Sequence, residues 1–106
     1  MNPRTIHSLM ASFPAVDAHA RSWVNVLERD GTLRTEALGH LLDTYIAATT
    51  VLVWVNRKCG AMLPKNQAIT FIAEHVGQGE IKVADREFQG FVVVAMNGAA
   101  TGWTHQ

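Results

Sequence analysis

Glu36, His40 and Asp43 stand at positions i, i+4 and i+7 of the chain, a spacing that brings three side chains onto one face of an α-helix. Two carboxylates and an imidazole suit a hard or borderline divalent metal, or a general base held by an orienting carboxylate. The same three residues equally make a solvated polar stripe with helix-stabilising pairs. No second ligand cluster occurs elsewhere in the sequence. A metal-assisted or acid/base enzyme using Glu36, His40 and Asp43 is therefore the alternative reading, not the leading one.

The other polar residues support chemistry less well. Cys59 is the single cysteine, with no Cys-x-x-Cys partner and no Cys/His signature, and reads as inert. His7, His19, His75 and His105 show no H-x3-H or HExxH spacing. The loops "GQGE" and "NGAATG" match neither a Walker A nor a dinucleotide fingerprint, and no serine lies in a nucleophile elbow. No cofactor is expected.

The aromatic residues are more informative. Trp54 falls on the polar side of its segment when the chain is read at helical period. Phe71 lies off the apolar stripe of the next segment, where it forms an i, i+4 pair with His75. Two large aromatics on secondary faces of neighbouring segments point to a further buried surface. The expected function is thus non-enzymatic: binding of a small apolar ligand or a protein partner, with Trp54, Phe71, His75 and Arg57 as the binding residues.

Composition narrows the remaining classes. The 106 residues suit one domain spanning 1–106, and 48% of them are hydrophobic, as a packed globule requires. Nine basic residues balance nine acidic ones, so there is no electrostatic footprint for nucleic acid or anionic lipid. A helical DNA-binding regulator, with a helix-turn-helix around Gly60, is a third reading, and "KNQAITFIAEHVG" offers it little basic surface. No run reaches the ~18–20 apolar residues that span a bilayer. His7, Ser8, Ser12 and Pro14 interrupt any signal-peptide core. A lone cysteine and no leader fit the cytoplasm.

The elements that position these residues follow from periodicity. Asn2 and Pro3 open a short helix with Ile6, Leu9, Met10 and Phe13 on one face. Val16, Ala20, Trp23, Val24 and Leu27 predict a second helix, stopped by Gly31. The segment from Thr35 to Gly60 is ambiguous. Density of β-branched residues in "TTVLVWV" favours a strand, whereas one helical register runs from Glu36 to Lys58 with Gly60 as its stop. That register predicts a long central helix of ~36 Å. "KNQAITFIAEHVG" predicts a fourth helix with Ile69, Ile72, Ala73 and Val76 on its stripe. "EIKVA" and "FQGFVVVAM" then predict a C-terminal β-hairpin, followed by a tail.

The expected fold class is therefore α+β, N-terminal helices around a long central helix with a C-terminal β-hairpin. A lone hairpin is marginal in water, and one apolar on both faces is an aggregation hazard. The sheet is accordingly expected to be completed by oligomerisation, a homodimer or higher homo-oligomer about a two-fold axis.

Overall fold

A computed structural model of the chain describes residues 3–10, 23–56 and 58–104. Three helices and six strands follow one another as α1 (Pro3–Leu9), β1 (Val24–Asn25), α2 (Thr35–Tyr45), β2 (Thr50–Asn56), β3 (Cys59–Pro64), α3 (Lys65–His75), β4 (Ile81–Ala84), β5 (Gly90–Val94) and β6 (Ala99–Thr104). The strands form one sheet in the order β1-β6-β5-β4-β2-β3, every neighbouring pair antiparallel. The protein is α+β, but it is built on this sheet and has no long central helix.

The expected continuous helix from Thr35 ends at Tyr45, and "TVLVWVN" is a strand. The reason is burial on both sides. Val51, Val53 and Val55 point into the core under α2 and α3, whereas Leu52 packs on the opposite face with Ile6 and Met10. A strand covered on both faces loses the period-two alternation that would announce it, leaving β-branched density as the valid signal. Gly60, read as a helix stop, lies within β3 and pairs with Trp54. The helix pair that a helix-turn-helix around Gly60 would need is thus a β-hairpin.

Two further expectations change. The part of the second predicted helix that precedes Trp23 lies outside the described residues. From Trp23 onward the chain is extended, and Gly31 with φ of 88° serves a tight turn, where the Glu28 N–H donates to the Thr32 carbonyl at 2.7 Å. The predicted tail is strand β6, seated between β5 and β1. With β6 in place the β4–β5 hairpin has neighbours on both sides, and the sheet is complete within one chain. Completion by oligomerisation is therefore not required.

The first and fourth predicted helices are present as α1 and α3, with Ile6 and Ile72 fully buried. Asn2, the expected cap of α1, lies outside the described residues. The predicted hairpin is β4–β5, turned by a loop in which the buried Asp85 carboxylate accepts the N–H of Gln89 at 2.7 Å.

Two layers of helix result. Leu38, Leu41 and Leu42 of α2 and Ala68 and Ile72 of α3 pack on Val51, Val53, Val83 and Val92, making the main core. α1 covers the other face, where Ile6 and Met10 meet Leu52, Ala84 and Phe91, with Trp54, Met62, Phe88 and Trp103 at the margin. Close approach of helix to sheet requires glycine at Gly90, where a Cβ would overlap the Tyr45 carbonyl oxygen at the end of α2.

Candidate functional site

An open, partly apolar groove lies where α3 meets the end of the sheet. Pro64 ends β3 and leads directly into α3, so the strand and the helix share a corner. Ala68 and Ile72 anchor α3 to the core. That orientation turns Asn66, Gln67, Thr70 and Glu74 outward, one helical flank by their spacing. Together with Leu63 and Phe71 they line an open groove of about 400 Å³. Its apolar floor is Leu63 and Phe71, both half-buried, and its rim is polar, with Glu74 the single charged lining residue.

His75 holds the Phe71 wall in place. The two rings stack at 4.5 Å between centroids with 30° between planes. The Nδ1 of His75 lies 2.8 Å from the Phe71 carbonyl oxygen. A carbonyl can only accept, so Nδ1 carries the proton and the ring is oriented by its own helix. The expected i, i+4 pairing of Phe71 and His75 is thus a real contact.

The strand beside the groove is an edge. No described strand lies beyond β3. The Lys65 N–H donates to the Thr49 carbonyl at 2.9 Å, and antiparallel ladders alternate between bonded and non-bonded pairs. By that alternation Leu63 and Ala61 direct their N–H and C=O groups to β2, while Gly60 and Met62 direct theirs outward. Pro64 adds an outward carbonyl and no donor. Natural edges are usually blunted by charge or by brevity. β1, at the opposite edge, is two residues long, whereas β3 runs for six residues without a charged side chain.

The remaining candidates are placed elsewhere. Trp54 sits on the α1 side of the sheet and Phe71 on the opposite, α2/α3 side, so the two aromatics do not share a surface. Its indole is engaged within the chain by His7 and by Lys82. Arg57 lies outside the described residues. Glu36, His40 and Asp43 are all exposed on α2, and Asp43 forms an ion pair with Lys65 at 3.2 Å. Among the described residues no three His, Cys, Asp or Glu side chains are grouped to hold a metal ion. Asp43 and Lys65 also border a smaller hollow of about 210 Å³ between α2 and α3, with Gly39, Leu42, Asn66 and Ile69. No helix among the described residues is long and apolar enough to cross a membrane.

Of the residues expected from the sequence, Phe71 lines this groove and His75 stacks on it, whereas Leu63, Asn66, Gln67, Thr70 and Glu74 were not among them. The signal that leads to them is the off-stripe position of Phe71: an aromatic away from the anchoring face marks a second contact surface, and its i−4 and i+3 neighbours are Gln67 and Glu74. Comparison of the chain with protein-family models, with curated proteins and with solved structures finds no match.

Proposed function

We propose that this chain is a non-enzymatic interaction protein that binds a protein partner in the groove between α3 and β3. The observation carrying this reading is one juxtaposition: an apolar floor of Leu63 and Phe71 lies directly beside an uncharged, six-residue sheet edge with outward backbone groups. Recognition by strand addition uses this pair of features, with the edge backbone supplying hydrogen bonds and the adjacent groove taking alternate side chains. The groove is open, and small-molecule sites enclose most of their ligand's surface. A peptide segment therefore fits it better than a small apolar ligand.

The test is selection of a displayed library of random dodecapeptides on the purified protein, followed by Phe71→Ala with the fold checked by circular dichroism. Selected peptides are expected to bind at least about tenfold more weakly to the variant, the scale of a truncated interface aromatic. Peptides that bind both proteins equally would remove the groove from the reading.

A further inference from the structure

The outward backbone of β3 is complementary to itself. Resting on the reading of the α3–β3 groove as a partner site, we propose that its occupant is a second copy of this chain, joined β3 to β3 about a two-fold axis through Ala61. In that antiparallel register Gly60 stands opposite the second copy's Met62, and the reverse holds by symmetry. Each such pair exchanges both of its N–H···O bonds. All outward N–H groups of Gly60 and Met62 in both copies are then satisfied, and Pro64, which has no donor, falls outside the paired stretch.

The side chains agree with that register. The residue on the axis is alanine, so two small side chains meet where the copies approach closest, and glycine faces each methionine. No like charges are opposed, because Cys59–Pro64 carries none. The chain as a whole has a formal net charge of +0, so long-range repulsion does not resist association. On the helix face Leu63 stands opposite Cys59 of the second copy, so the pairing carries the second copy up to the margin of each groove.

This arrangement differs from one in which a second copy supplies missing strands. The sheet of one chain already has its full order from β1 to β3, and dimerisation extends it. A stable dimer needs about 1,200 Å² or more of total buried surface, about a tenth of the 6191 Å² of each copy, so the pairing must bury the groove floors as well as the β3 edge.

Sedimentation velocity on the full chain across the micromolar range tests the proposal. The expected result is a concentration-dependent species of twice the 11.6 kDa chain mass, with the Gly60 and Met62 amides protected from hydrogen exchange in the dimer and exchanging freely on dilution. Met62→Pro removes an outward donor without touching the β2 ladder, and edge strands tolerate proline at such positions. It should give a folded monomer, whereas Met62→Leu should remain dimeric. Ala61→Lys, which places two ammonium groups opposite each other on the axis, should also give a monomer. A chain that sediments as a monomer throughout, or a dimer that survives both Met62→Pro and Ala61→Lys, overturns the second copy as occupant. Phe71-dependent binding of selected peptides to such a monomer would leave the groove reading intact, so the two proposals fail separately.

Discussion

The indole N–H of Trp54 donates to Nδ1 of His7 at 3.1 Å, tying α1 to β2 across 47 residues of chain. The rings lie 27° from parallel with centroids 5.9 Å apart, and the Lys82 ammonium sits 5.1 Å from the indole centroid. α1 has seven residues, too few for a helix to persist alone in water. Its position depends on contacts of this kind and on the fully buried Ile6, which lies against Gly60.

Trp54→Phe keeps most of the ring contact and removes the donor. It should lower unfolding free energy by about 1 kcal/mol, the net value of one hydrogen bond. His7→Ala removes both the acceptor and the stacked ring and should cost about 1–2 kcal/mol, since the part-buried indole N–H is left without its partner. If the pair is coupled, the double variant should be less destabilised than the sum of the singles by about 1 kcal/mol in urea titrations. Strict additivity would show that the contact contributes nothing.

Lys65 reaches two acceptors of unequal worth. Its ammonium donates to the Ile46 carbonyl, just past the end of α2, and pairs with the Asp43 carboxylate at 3.2 Å. The Asp43 side chain is 76% exposed and that of Lys65 19% exposed, so solvent screens the ion pair. The charge-assisted bond to a backbone carbonyl is less exposed and contributes more. Asp43→Asn should therefore change stability by less than about 0.5 kcal/mol. Lys65→Met, which keeps the aliphatic stem, should cost about 1–2 kcal/mol. Equal effects of the two substitutions in thermal melts would refute this ranking.

The Asp30 carboxyl is held below the usual carboxylate range, first by the Thr32 hydroxyl and then by the Thr32 backbone N–H, 2.9 Å away. A group whose folded pKa is depressed adds stability above the unfolded pKa and loses it as pH falls through the folded value. The turn at Gly31 should thus loosen only under strongly acidic conditions. In an NMR titration the Asp30 carboxyl carbon should show a midpoint below that of an unstructured aspartate. Thr32→Val, which deletes the hydroxyl and keeps the N–H, should move the midpoint part of the way back. An unmoved midpoint would mean that the hydroxyl does not bond the carboxylate.

What could be read from the sequence depended on whether a segment's signal was local. α1, α3 and the β4–β5 hairpin were legible because Pro3, the Ile69/Ile72 spacing and the alternation of "EIKVA" each carry their own period. β2 was not, since both of its faces are buried and a helical register happened to fit it. β6 was invisible for a different reason. Ala100 and Gly102 are small because α2 lies on them, and a Cβ at Gly102 would overlap the Tyr45 ring. A requirement imposed from 57 residues upstream removes the β-rich signature that strand prediction needs. At the site, the Phe71–His75 pair was visible as i, i+4 neighbours. The edge beside it depended on the course of β3, and the partner of Trp54 on a residue in α1.

The same substitution should act with opposite sign at two glycines that contact α2. Gly39 lies inside α2, and a Cβ there would meet only the Ile69 Cδ1 at 3.5 Å, an ordinary contact. Gly39→Ala should raise stability by about 0.5–1 kcal/mol, because alanine loses less backbone entropy in a helix. At Gly90 the added carbon would overlap the Tyr45 carbonyl oxygen, with the Tyr45 carbonyl carbon at 3.0 Å and the Ile46 Cα at 3.2 Å. All three are backbone atoms, so no rotamer change relieves the clash and the end of α2 must move off β5. Gly90→Ala should therefore cost more than about 3 kcal/mol, with much of the loss appearing as exposure of Tyr45 and Ile46. Denaturant melts of the two variants decide the point. A Gly90→Ala protein as stable as wild type would show that α2 does not press on β5 at this position.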